Sequence, residues 1–260
     1  MLTSTQNNLV KKIRKLHSTK ERDKQGLFLI EGTHLIKEAC DVGYPLVNVC
    51  CTIQWQKNNQ VLWNDVCSRC NYADIVSQEV LNLIATTIRP NGIIATAVRR
   101  SDSINIPLNG IIIALEAIQD PGNLGTIIRT SVAAGAAGLW VSKDSVDLDN
   151  PKVLRASAGQ WFHLPMTVIA DLRKTVKQAQ QAGIQVIASL PNANLIYWDV
   201  DWQQPSLILL GNEGAGLSPD LSAIADFQVN IPLYPRVESL NVGVAGSLML
   251  YEALRQRSLQ

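Results

Sequence analysis

Long apolar runs are missing from this sequence. Nowhere do about 18 apolar residues follow one another, so no membrane-spanning helix is expected. The opening stretch, MLTSTQNNLVKKIRKLHSTK, lacks the apolar core and small-residue cleavage site of a secretory signal. The expected location is therefore the cytoplasm, and the five cysteines (Cys40, Cys50, Cys51, Cys67 and Cys70) are expected to be reduced thiols. Cys67-x-x-Cys70 is half of a zinc ligand set. No second pair with suitable spacing accompanies it, so no metal is expected. Charge is scarce as well, at 17% of residues against 47% apolar, which suits a folded chain rather than a disordered one.

Several catalytic signatures are also absent. No G-x-G-x-x-G follows a strand-like segment, which disfavours ordinary dinucleotide binding. No G-x-x-x-x-G-K-[ST] is present, which disfavours a nucleotide triphosphatase. The three histidines, His17, His34 and His163, sit beside no G-x-S-x-G, so serine-hydrolase chemistry is not expected.

What is present begins with an uneven distribution of charge. The net charge of +1 hides a basic first hundred residues and an acidic remainder. Lys11, Lys12, Arg14, Lys15, Lys20, Arg22 and Lys24 crowd the start of the chain. This pattern fits either a polyanion partner or a solvated helix face.

The periodicities give two domains. Over 1–100, an amphipathic helix at 7–16 precedes a strand at Phe28–Ile30, a helix over 33–42 and apolar stretches at 45–53, 73–76 and 93–98. Together they suggest a small α/β domain. The polar stretch Arg99–Asn109, with Pro107, places a linker at 101–108, leaving 109–260 as the second domain. There, strands at Ile111–Leu115, Leu139–Ser142, Pro165–Ile169, Ile184–Ser189, Leu207–Leu210 and Phe227–Ile231 alternate with helices at 124–134, 151–157, 171–182 and 240–256. Asn123 is expected to cap the first of these helices and Gly135 to end it. The alternation predicts a mainly parallel sheet with helices on both faces.

Ligands in such sheets bind beyond the carboxyl ends of the strands. Three polar or glycine-rich segments lie there: Glu116–Arg129, Gly211–Ser218 and Ile231–Gly246. Arg129 interrupts apolar and small residues, so it faces a cleft, an anionic partner or a structural ion-pair acid. Glu213 is either a turn-former or a substrate contact. Ser239 stands where it could cap the last helix, whose free amides would also favour a phosphate.

Taken together and in this order, the motifs resemble the SpoU-type (TrmH-like) branch of the SPOUT RNA methyltransferases. The match runs through Asp120-Pro-Gly-Asn-Leu-Gly-Thr-Ile-Ile-Arg129, Lys152-Val-Leu-Arg-Ala-Ser-Ala-Gly159, Leu210-Gly-Asn-Glu-Gly214, and Ile231-Pro232 leading to Ser239-Leu-Asn-Val242. It covers about residues 108–256. The first hundred residues resemble a ribosomal-protein-like substrate-binding domain through Lys11–Lys24 and Phe28-Leu-Ile-Glu-Gly32.

The resemblance implies an α/β SPOUT fold with a C-terminal trefoil knot, a homodimer with the last helix in its interface, and S-adenosylmethionine as methyl donor. It implies donor contacts at Ser189, Leu190, Leu210, Gly211, Asn212, Ile231 and Leu240. It also implies transfer to a ribose 2′-hydroxyl, with Arg129 central and Asn123, Glu213, Ser239 and Asn241 around ribose and phosphate. Ribosomal RNA of 23S type is the expected substrate. Transfer RNA, or binding without catalysis, is the alternative. Arginine stays protonated in proteins, so a positioning and electrostatic role is expected for Arg129. Lys11, Lys12, Arg14, Lys15, Lys20 and Arg22 are the expected RNA contacts. Tyr234-Pro235-Arg236-Val237-Glu238 departs from the family pattern, which has smaller residues and a glycine there.

Overall fold

The computed structural model describes residues 1–99 and 104–258. It divides into two compact units: Met1–Ser101 with Asp147–Phe162, and Asp102–Val146 with His163–Gln260. Residues 101–103 of the expected linker lie outside the described residues. Ile106, within the same expected linker, is buried in the core of the second unit, because Gly138 opposite it has no side chain to fill that space.

The first unit runs α1 (Asn8–Lys15), α2 (Thr19–Gln25), β1 (Leu27–Glu31), α3 (Thr33–Asp41), β2 (Leu46–Cys51), α4 (Ile53–Asn58), α5 (Gln60–Arg69), β3 (Cys70–Ile75), α6 (Gln78–Ile84) and β4 (Ile93–Val98). The sheet order is β1-β4-β2-β3, antiparallel except for β2 against β3. Asn7 caps α1 by accepting from Leu9 N at 2.8 Å. Val10, Ile13 and Leu16 are buried in one cluster with Val80, Leu81 and Ile84, while Lys11, Lys12, Arg14 and Lys15 stay exposed.

The sequence expectation of a domain made of residues 1–100 omits part of this unit. Residues 147–162 belong to it, because Trp161 packs at a tilt on Phe28 and Phe162 edge-on to Tyr44, with ring centroids 5.2 and 5.4 Å apart. A charge cluster joins the same segment. Arg22 donates to Asp147 at 2.7 Å and to Asp149 at 2.9 Å, and Arg99 donates to both acids as well. This corrects the sequence expectation that Arg22 contacts RNA. Arg22 is only 1% exposed, and its other donors are taken by Leu16 O, His17 O and Thr19 Oγ1.

The second unit is built on a seven-stranded sheet, every pairing of which is parallel: β5 (Ile111–Leu115), β6 (Gly138–Ser142), β7 (Met166–Ile169), β8 (Gln185–Ser189), β9 (Leu195–Ile196), β10 (Ser206–Leu210) and β11 (Phe227–Asn230), in the order β7-β6-β5-β10-β8-β11-β9. Its helices include α7 (Pro121–Ala133), α8 (Leu172–Gln181), α9 (Pro219–Ser222) and α10 (Val242–Ser258). Strand side chains alternate between faces. Ile112, Ala114, Leu207 and Leu209 pack with Leu172, Val176 and Ala179 of α8. On the other face Gly246 of α10 lies against Leu210 and Ile127, where a Cβ would come within 2.8 Å of Leu210. The uninterrupted apolar run of β5 follows from being covered on both sides.

Among the described residues no helix is long and apolar enough to cross a membrane. Among the described residues no three His, Cys, Asp or Glu side chains gather as metal ligands.

Candidate active site

The chain leaves β5, turns, and enters α7. Asp120, not Asn123, caps this helix: its Oδ1 accepts from Asn123 N at 2.9 Å, and Pro121 occupies the first turn. D-P-G at a helix start is the signal that identifies such a cap. Before it, Ala117 has a φ of 53°, a left-handed conformation that side chains disfavour. Its N–H donates to Ser142 Oγ at 2.8 Å, and its carbonyl accepts from Asn212 Nδ2 at 2.8 Å. Both contacts over-determine the turn.

After β10 comes the glycine loop. Asn212 and Gly216 exchange backbone hydrogen bonds of 3.0 and 2.9 Å, and Asn212 Oδ1 accepts from Gly214 N and Ala215 N. Gly211 lies so close under this closure that a Cβ would meet Gly216 C at 2.1 Å, leaving no room for a side chain. The closed loop carries Glu213 back towards α7. Its carboxylate accepts from Gln119 N at 3.1 Å, Asp120 N at 3.0 Å and Asn123 Nδ2 at 3.0 Å. Burial acts to raise the carboxyl, but the hydrogen bonds from Asn123, Asp120 and Gln119 together hold it below its usual value.

The third segment closes the arrangement. Asn241 Nδ2 donates to Asn123 Oδ1 at 2.8 Å, and Asn241 Oδ1 accepts from Gly243 N at 2.9 Å. Asn241 therefore caps α10, the role the sequence suggested for Ser239. A carboxylate can only accept, so Glu213 fixes the orientation of the Asn123 amide. That amide in turn orients Asn241. One hydrogen-bonded chain thus links three segments far apart in sequence.

These segments enclose a cavity of about 400 Å³. Ser189, Leu190, Leu210, Gly211, Asn212, Ile231 and Leu240, the expected donor contacts, all line it. So do Asn123, Glu213, Ser239 and Asn241. Arg129 does not. It stands six residues beyond Asn123, about 9 Å of helix rise further along α7. Its side chain is exposed and forms no ion pair among the described residues, which removes the structural ion-pair reading. Pro191, Leu217, Val242 and Ala245 also line the cavity; the last three fall within the segments singled out from the sequence, whereas no local signal marks Pro191. Of the expected RNA contacts, Lys11, Lys12, Arg14, Lys15 and Lys20 are exposed on the first unit, and Arg22 is not.

Comparison with known proteins places this geometry. The model of the SpoU rRNA Methylase family matches residues 110–251, and that of the MRM3-like substrate binding domain matches residues 7–95. An uncharacterised tRNA/rRNA methyltransferase of Synechocystis sp. is 42% identical over 98% of this chain and 94% of its own length. The 23S rRNA (guanosine(2553)-2'-O)-methyltransferase RlmP of Bacillus subtilis is 30% identical over 96% of this chain and 97% of its own. Among solved structures, the AdoMet-bound rRNA methyltransferase of Sinorhizobium meliloti superposes with a TM-score of 0.88 at 31% identity, covering 98% of this chain and 97% of that one. The family match spans the whole sheet-and-cavity unit from β5 to the middle of α10, and on that basis the chain belongs to the SpoU rRNA methylase family.

Proposed function

We propose that this protein is an S-adenosylmethionine-dependent methyltransferase acting on the 2′-hydroxyl of a ribose in ribosomal RNA of 23S type. The observation that carries the reading is the Glu213–Asn123–Asn241 chain at a cavity formed beyond the strand ends of a parallel sheet. The cavity fits the donor. Its volume lies in the range of about 300–1,000 Å³ usual for ligand sites. Leu190, Leu210, Ile231 and Leu240 offer apolar walls. No lysine or arginine lines it, so a sulfonium would meet no like charge, while Glu213 supplies an opposite one.

The bound donor supplies an activated methyl group, and the protein's share is placement. Asn123, Ser239 and Asn241 offer hydrogen-bonding groups for the ribose and its phosphate. Arg129 presents a guanidinium that positions the phosphate and favours negative charge on the attacking oxygen. The RNA phosphate assists removal of the hydroxyl proton. Such orientation is worth up to about 7–11 kcal/mol of barrier.

The reading includes a homodimer. Val244, Leu248 and Tyr251 form an exposed apolar stripe on α10, and this helix packs on α7, which carries the exposed Arg129. A second copy covering the stripe would bring its own Arg129 towards the cavity. The reading also includes a trefoil knot, supported by the family match and by the three loops after β8, β10 and β11 that line one cavity. It also includes a cytoplasmic location. The substrate choice is supported by the relatives named for 23S rRNA and by the exposed basic face of α1.

The test is methyl transfer from labelled S-adenosylmethionine to total RNA of a strain lacking the gene, with wild type and Arg129→Ala compared. Label in 2′-O-methylated nucleotides of 23S RNA, lost in the variant, is the expected result. Label in transfer RNA would change the substrate. No label, from dimer that binds the donor, would leave an RNA-binding protein without activity.

A further inference from the structure

Ile88 is 98% exposed, the most exposed large apolar side chain among the described residues. It sits at the tip of the loop joining α6 to β4, and that loop is held firmly from below. Glu31, only 7% exposed, takes hydrogen bonds from Thr86 N at 2.9 Å, Thr86 Oγ1 at 2.6 Å and Thr87 N at 3.3 Å, and from Thr87 Oγ1. Arg155 Nη1 donates to Thr86 Oγ1 at 2.6 Å and lies 3.5 Å from Glu31. The far end is fixed as well. Gly92 has a φ of +87°, and a Cβ there would lie 2.8 Å from Trp55, whose indole N–H bonds Thr33 Oγ1 at 2.7 Å. A buried carboxylate with its oxygens committed to two consecutive threonines is a device for fixing a loop. What it fixes in water is an isoleucine.

The charge around the tip narrows the partner. Arg89 follows Ile88, is exposed, and forms no ion pair among the described residues. Glu31, which anchors the loop, is already occupied by its four donors and Arg155. A rigid apolar tip next to an unpaired guanidinium matches an unstacked base joined to its phosphate. Paired RNA hides its bases, whereas loops and bulges splay them out.

We propose that the Ile88–Arg89 tip is a nucleotide-binding site for unpaired RNA, with Ile88 lying against the face of an unstacked base and Arg89 holding the adjoining phosphate. This rests on the reading of the protein as an RNA methyltransferase, and it assigns a site that recognises loop structure.

The experiment measures binding of the full-length protein to two synthetic RNAs, a hairpin with an unpaired loop and a fully paired duplex of equal length. Wild type is compared with Ile88→Ala, Ile88→Met and Arg89→Gln. Full covering of an isoleucine side chain corresponds to about a 10- to 150-fold change in affinity, which sets the upper bound for its truncation. Ile88→Ala is expected to weaken hairpin binding within that bound with duplex binding unchanged, and Ile88→Met to restore it. Arg89→Gln should reduce the salt slope of hairpin binding by about one. Because Ile88 touches solvent, the melting temperature should not move in either variant. Hairpin binding unaltered in Ile88→Ala, or hairpin and duplex weakened equally, overturns the inference. So does a wild type with no preference for the hairpin. Methyl transfer assayed on the same preparation decides the enzymatic reading separately.

Discussion

Arg22 donates from Nε to Oδ1 of Asp149 at 2.9 Å across 127 positions of sequence. A basic residue in a run of basic residues is thus an interior tie rather than a surface charge. Arg22→Ala would leave Asp147 and Asp149 without one of their two arginines. Removing one partner from a buried pair typically costs about 3–5 kcal/mol. The expected outcome is a large fall in the melting temperature. Lys11→Gln with Arg14→Gln should leave melting unchanged and flatten the salt dependence of RNA binding instead. Equal effects of the two changes on stability would refute the distinction.

The same cluster predicts a dependence on pH. Burial and the adjacent Asp147 push the Asp149 carboxyl up to about 7, against the pull of Arg99 and Arg22. A raised value in the folded state means that folding favours the protonated form. The stability it contributes is complete below its ordinary value of 3.8 and is lost as pH rises through about 7. Wild type should therefore lose melting temperature relative to Asp149→Asn as pH is raised from about 5 to 8. Parallel pH profiles of the two proteins would sink the idea.

What the sequence made legible follows the range of the interactions involved. Ile111–Leu115 could be read as a strand covered on both faces because five consecutive apolar residues carry that information locally. The cavity residues could be placed through the motif set. The caps were misassigned by a few positions, to Asn123 and Ser239 rather than Asp120 and Asn241, since each neighbour is a competent cap and only backbone geometry chooses between them. Helix α2 has no apolar stripe to read, and Arg22 on it is explained only by acids more than a hundred residues away. The membership of residues 147–162 in the first unit is likewise set by long-range contacts, such as Trp161 against Phe28.

Glu213 is expected to act through orientation. Glu213→Gln replaces a pure acceptor by an amide, so the Asn123 amide is no longer forced to present Nδ2, and its bond to Asn241 is free to break. Misplacing reacting groups by about 1 Å can lower turnover about 100-fold, and a loss of this order is expected with donor affinity largely kept. Because the carboxyl is held below its usual value, the wild-type chain is fully formed at neutral pH. It should weaken only as pH falls through that lowered value, below 4.5. Full activity in Glu213→Gln would show that the chain has no part in catalysis.

Arg129 lies outside the cavity lining while Glu213 lies within it, and the exposed Val244, Leu248 and Tyr251 stripe runs along the helix packed on α7. The proposed dimer, in which the second copy completes the site, makes a specific prediction. Arg129→Ala and Glu213→Gln, each inactive as a homodimer, are mixed and allowed to exchange subunits. If Arg129 acts on the other protomer, each mixed dimer regains one intact site, and an equal mixture should recover about a quarter of wild-type activity. If Arg129 serves its own protomer, every site in the mixture carries one lesion and nothing is recovered. Leu248→Asp should block recovery by preventing the dimer, visible as a monomer in light scattering. Recovery that persists in a protein shown to be monomeric would contradict the shared site.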